Sequence, residues 1–150
     1  MILLEFTERM RGSWHRLNSP GNEQPVEFTG RATISRLSDV LGSTAAGFRG
    51  RVVAEGLTRG ADFEGTLGVG ALRREGRLPY AFSFVGEDKR NYRFDGAKEV
   101  SLLDPVRSMT VLPAYLFDDG GNEVGRAVLH FDLRTDLANF LRSWSLRFRA

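Results

Sequence analysis

The chain has 150 residues, 41% of them hydrophobic and 27% charged, which suits one globular domain with a real core. It contains no cysteine, so disulfides and thiolate metal sites are excluded. The formal net charge is only +2 and the pI about 9.4, because the bases are almost all arginine; they are spread along the chain and balanced by 19 acids, against the concentrated basic face that nucleic-acid binding needs.

No apolar run approaches the roughly 18 residues that span a bilayer as a helix. The start, MILLEFTERM, meets acid at Glu5 and lacks the basic beginning and long apolar region of a secretory signal. We therefore expect a single cytoplasmic domain over residues 1–150, free-standing or cut from a larger protein.

From Ile2 to His15 the chain reads as one long strand. Leu4, Phe6, Met10, Gly12 and Trp14 fall on even positions, and Glu5, Thr7, Arg9, Arg11, Ser13 and His15 on odd ones. Successive strand side chains point to opposite faces, so the even set is predicted to face a core. Glu8 is the misfit on that face. Asn18 to Asn22 is dense turn chemistry. A second strand follows from about Val26 to Ile34, with Phe28, Gly30, Ala32 and Ile34 inward, and residues 37–44 read as a loop or a single helical turn.

The third strand, about Gly47 to Gly56, turns Phe48, Gly50, Val52 and Ala54 inward. A turn is expected at Thr58-Arg59-Gly60, and a fourth strand carries Phe63, Gly65, Leu67 and Val69. After a turn at Arg73 to Gly76, Leu78, Tyr80, Phe82 and Phe84 make the most aromatic face of the chain. Gly86-Glu87-Asp88 turns again, and the sixth strand presents Tyr92, Phe94, Gly96, Lys98 and Val100. Asp104-Pro105 breaks the chain before a seventh strand, about Ser108 to Phe117, in which Pro113 predicts an edge or a bulge. Asp118 to Asn122 is a hairpin loop, and an eighth strand runs from about Glu123 to Leu133.

The period then changes. Leu133, Leu137, Phe140 and Leu141 fit a helical face over about Thr135 to Arg142, and Trp144, Leu146 and Phe148 alternate in a last strand that is expected to close on the first. Eight or nine short antiparallel strands with tight turns and one late helix predict an all-β fold, an up-and-down barrel.

The inner face mixes aromatics with very small residues. Gly12, Gly30, Ala32, Gly50, Ala54, Gly65 and Gly96 either leave a lumen open or relieve crowding where strands bend. Glu8, Met10, Trp14, Phe28, Phe48, Tyr80, Phe82, Tyr92, Phe94, Lys98 and Tyr115 are the candidate ligand contacts, and an apolar pocket so lined suits a flat lipophilic molecule. Two charges share the inner face. Burying Glu8 or Lys98 alone costs several kcal/mol, so each needs a partner, and their meeting is expected. Such a pair either orients a ligand's polar group, moves a proton, or is purely structural.

Two histidines, His15 and His130, with no acidic cluster at ligand spacing do not make a metal site. There is no G-x-S-x-G elbow. Gly65-x-x-Gly68-x-Gly70 lies in a predicted strand with no helix expected after it, so it is not a phosphate loop. No cofactor is expected.

Two resemblances extend this reading. Gly12-Ser13-Trp14 resembles the G-x-W of lipocalins, in which the tryptophan closes the barrel base and an arginine of the last strand, here Arg147 or Arg149, packs over it. Phe6-Thr7-Glu8-Arg9-Met10-Arg11-Gly12, the run Tyr92 to Val100, and Asp136-Leu137 with Phe140-Leu141 are similar to a domain appended to some bacterial flavin enzymes of the glucose–methanol–choline type, the cholesterol-oxidase-like proteins. That resemblance implies a small barrel working near lipophilic substrates, with a flavin oxidoreductase as a partner, and supplies no catalytic residue. The expected function is binding of a lipid- or sterol-like molecule in the lumen. The alternatives are a cofactor-free isomerase or cyclase using Glu8 as acid or base, and a protein-interaction module.

Overall fold

The computed structural model describes residues 2–34, 45–101, 103–131 and 145–148. Its strands are β1 (Ile2–Arg16), β2 (Gln24–Ile34), β3 (Ala46–Ala54), β4 (Thr58–Leu67), β5 (Arg77–Val85), β6 (Asn91–Glu99), β7 (Val111–Phe117), β8 (Glu123–His130) and β9 (Ser145–Phe148). Two short helices, α1 (Val69–Glu75) and α2 (Pro105–Ser108), interrupt them.

Strands β2 to β8 pair in chain order, all antiparallel, and β1 bonds to β8 on one side and to β2 on the other. The result is a closed eight-strand antiparallel up-and-down barrel. The last strand pairs with the first, as expected, and shares that side of β1 with β8. β9 pairs with β1 only from Ile2 to Glu5, while β8 holds β1 from Arg11 to Arg16, so β8 makes the closure and β9 extends it. The predicted late helix and Trp144 lie outside the described residues.

The alternation read from the sequence is the alternation of burial. On β2, Val26, Phe28, Ala32 and Ile34 are buried; on β5, Leu78, Tyr80, Phe82 and Phe84. The outer face is laced by cross-strand pairs such as Arg49–Glu64 and Arg77–Glu99, which sit directly opposite in register and are worth about 0.2–1 kcal/mol each.

Three boundaries differ from the predicted ones. β4 begins at Thr58 rather than after Gly60, because the turn is made at residues 55–57, with Gly56 in the left-handed region at φ 90°. β4 ends at Leu67, and Val69 opens α1, so a seven-residue helix does follow the glycine run. β7 begins at Val111, since Pro105 starts α2 instead of merely breaking the chain. Pro113 was predicted at an edge or a bulge; it stands opposite Val128 of β8, one residue past the last β6–β7 pair, Gly96↔Ala114, and the register shift of β7 falls at Leu116/Phe117.

The barrel has two unlike ends. At the base, residues 17–23, 55–57, 86–90 and 118–122 connect the strands. The described connections at the opposite, upper rim are longer: 68–76 with α1 and 100–110 with α2.

Candidate functional site

The base is shut by Trp14. Its ring is fully buried, its Nε1 donates to Glu55 O at 3.0 Å across the barrel end, and a guanidinium lies 5.2 Å over its face. That cation is Arg16, two residues further along the same strand. Arg147 pairs through its backbone with Leu3, at the other end of β1. Tyr92 also belongs to the base: its hydroxyl donates to Asp88 at 2.5 Å in the β5–β6 hairpin. That bond, with the Arg90 backbone, holds the Asp88 carboxyl below its usual range, while burial first and Asp88 second push the Tyr92 phenol up.

Above Trp14 the middle of the barrel is aromatic and packed. Phe28 meets the rings of Phe48, Phe63, Tyr80, Phe82 and Phe94 at centroid distances of 5.4–6.1 Å. Phe63, Phe82 and Phe94 stack face to face at 4.0 and 4.5 Å. Such pairs add about 0.5–1.5 kcal/mol each beyond the area they bury. The candidate contacts Phe28, Phe48, Phe82 and Phe94 are therefore one another's partners here, and Met10 is buried beside them, opposite Phe28 in register.

The small inner residues do not hollow out this region. A Cβ built on Gly50 would lie 1.9 Å from Thr29 O, and one on Gly12 would lie 1.9 Å from Val128 O. Their side-chain direction is occupied by the backbone of the next strand, which crosses close because the barrel wall bends strongly there. At Gly30 the space is taken by the Phe48 ring, 2.2 Å from where a Cβ would stand. Of the two readings of these glycines, relief of crowding is the one the geometry supports.

The charged residues lie above the aromatic layer. Glu8 and Lys98 meet, with Lys98 Nζ donating to Glu8 Oε1 at 2.5 Å, and both side chains are about 5% exposed or less. A third member was not foreseen in this role. Tyr80 Oη lies 2.7 Å from Glu8 Oε2 and 2.9 Å from Oε1, and gives its hydrogen to the carboxylate. The Lys98 ammonium also sits 5.2 Å over the Tyr80 ring. Burial, then the Glu8 charge, then this hydrogen bond hold the Tyr80 phenol well above its ordinary pKa, so it stays a donor.

Two ladders end close to the cluster. The β6–β7 ladder stops at Gly96↔Ala114, two residues before Lys98, and the β1–β8 ladder stops at Arg11↔His130, three residues from Glu8. On β5 and β1, Leu78 and Phe6 lie nearer the upper rim than Tyr80 and Glu8, and are buried. The cluster is thus an ion pair with a phenol, set between an aromatic floor and the buried side chains of Phe6 and Leu78.

Tyr115 is a correction. Leu112, Ala114 and Leu116 take the inner face of β7, so Tyr115 points outward, 48% exposed, with Arg126 across its ring at 5.4 Å. The histidines do not converge: His15 bonds Glu23 near the base and His130 ends β8 at the upper rim. Among the described residues no group of three or more His, Cys, Asp or Glu could hold a metal ion, and no helix is long and apolar enough to cross a membrane. A shallow groove of about 470 Å³ lies outside the barrel, where β4 and β5 part beyond Glu64↔Ser83, with Asp62, Glu64, Ser83 and Asn91 on its rim. No protein-family model matches the chain, and no curated protein or solved structure matches it either.

Proposed function

We propose that the barrel binds a hydrophobic small molecule, lipid- or sterol-like, whose apolar body occupies the upper half and whose polar end meets Glu8, Tyr80 and Lys98. The observation that carries this reading is the buried carboxylate–phenol–ammonium cluster itself. A buried ion pair is seldom the most stable filling of an apolar core, since well-packed hydrophobic residues often do as well or better. The ammonium has three N–H donors, and among the described residues one is taken by Glu8 Oε1, so donors are left for a ligand oxygen. Of the described connections, the longer ones, 68–76 and 100–110, lie at the end of the barrel toward which the cluster is displaced.

Native mass spectrometry of freshly purified protein tests this, followed by titration with a fatty acid, a fatty alcohol and a sterol. A retained or acquired ligand, lost in the Glu8→Gln/Lys98→Met double variant, is the expected result. A folded protein that takes up none of the three would sink the reading. By its resemblance to the appended domain of flavin enzymes, the same module would present or sequester substrate for a flavin oxidoreductase. The short contacts around Glu8 favour a second reading, proton transfer in an isomerase or cyclase, which predicts product formation from the bound molecule.

A further inference from the structure

The chain uses arginine nearly everywhere it needs a cation. Of its 21 basic residues only two, Lys89 and Lys98, are lysines. The exposed ion pairs Arg9–Glu27, Arg49–Glu64, Arg77–Glu99 and Arg93–Asp95 all use guanidinium. Yet in the core, where arginine's fixed charge and planar fork normally suit an ion pair best, the chain places an amine. What lysine can do there and arginine cannot is lose its proton and act as a nucleophile.

We propose that Lys98 Nζ forms an imine with a lipophilic aldehyde or ketone held in the barrel. This rests on the lumen-binding reading above and names the chemical class of the ligand. Glu8 Oε1, 2.5 Å from Nζ, takes a proton from the ammonium. The freed lone pair adds to the carbonyl carbon, and the carbonyl oxygen becomes a hydroxyl. That hydroxyl leaves as water, protonated from the Glu8 carboxyl, as the C=N bond forms. One carbonyl and one amine give one imine and one water, and no oxidant or reductant is needed. The protonated imine then keeps Glu8 as its counterion. Tyr80, still a phenol, continues to donate to that carboxylate, and burial of the cluster keeps out the water that would reverse the reaction.

The rarity of lysine makes the test clean, because exposed Lys89 is the internal control. The native protein is incubated with butanal, octanal or dodecanal in the presence of cyanoborohydride, and intact mass and peptide mapping locate the reduced adduct. The matching alcohols are titrated in parallel by native mass spectrometry. We expect one adduct per chain, at Lys98, formed about tenfold or more faster than at Lys89 with at least one of the aldehydes. Lys98→Arg should leave only the background at Lys89 and the N-terminal amine, which peptide mapping separates, and Glu8→Gln, which keeps the amine but removes the base, should slow the Lys98 adduct about tenfold. Labelling at Lys89 alone in the folded protein, while an alcohol is retained, overturns the imine and leaves lumen binding standing. If no alcohol is retained and Lys98 is labelled only after denaturation, both readings fall.

Discussion

At the base of the barrel every connection is short, Trp14 fills the opening, and its indole N–H is tied to Glu55 O; at the upper rim the described connections, 68–76 and 100–110, are longer, and the nearest polar feature inside is a charged cluster beneath buried Phe6 and Leu78. Both ends contain a buried group that needs a hydrogen-bond partner. At the base the need is met by backbone, which fixes the closure. Toward the rim it is met by side chains meeting across the barrel, an arrangement that can be rebuilt around a ligand. The difference separates a part of the wall that carries the fold from a part that can carry function.

The sharpest way to break this contrast is to enlarge a residue at each place. Gly50→Leu drives a side chain into the β2 backbone at Thr29, and we expect no cooperative unfolding transition at all, a loss beyond the usual ~1–3 kcal/mol of overpacking. Gly47→Ala, three residues closer to the rim on the same strand, has nothing within 4 Å of the new Cβ and should change stability by less than about 0.5 kcal/mol. A folded Gly50→Leu with normal Tm would show that the wall bends less there than the close approach implies.

The ion pair comes next in size. Glu8→Gln and Lys98→Met should each cost about 3–5 kcal/mol, since each strands the other charge in an apolar setting. The double variant should lose much less than the sum, because neither charge remains. Denaturant midpoints of the four proteins measure the coupling directly. Additive losses would mean that the two residues do not act as a pair.

Much of this was written in the sequence, and the parts that were not have identifiable causes. Period-two alternation marked the inner face of nearly every strand, because a side chain's face depends only on its own strand. Glu8 and Lys98 were legible as a pair because two charges of opposite sign on a dry face have few other choices. Tyr80 could not be assigned to them: β5 is not a neighbour of β1, and no local rule sets the register across a barrel. Tyr115 is a candidate ligand contact in the sequence, but Leu112, Ala114 and Leu116 hold the inner phase of β7. The glycines were ambiguous because a small residue looks the same whether it opens a lumen or lets a neighbouring backbone pass.

Tyr80 gives the cluster a pH dependence, as Tyr92 gives one to the base. The Tyr80 phenol is held above the ordinary value of about 10, so in the folded protein it keeps its proton where the unfolded chain loses it. Its contribution is fully present below pH 10 and declines as pH rises toward the folded-state value, by about 1.4 kcal/mol per pH unit. Denaturant melts from pH 9 to 11 should show this decline, and Tyr80→Phe should make it shallower, the share due to Tyr92 at the base remaining. An unchanged slope in Tyr80→Phe would place the alkaline sensitivity elsewhere. At the base, Trp14→Phe leaves Glu55 O without its indole donor and should cost about 1–3 kcal/mol with no effect on the alkaline slope.

The smallest expected effect falls outside the barrel. Tyr115 is half exposed on the outer face of β7 with Arg126 against its ring, near exposed Val128 on the neighbouring strand. A lone exposed cation–aromatic contact contributes about 0.5–1 kcal/mol at most, and Ser at the same position keeps a strand-compatible, solvated surface. Tyr115→Ser should therefore shift stability by less than about 1 kcal/mol and leave uptake of a lumen ligand unchanged. If the variant folds normally but loses ligand, recognition involves the outer face. The division between a closed base and a functional upper half would then have to be redrawn around β7 and β8, with the exposed strip of Tyr115 and Val128 as the contact surface, which is the geometry of an interaction module and not of a container.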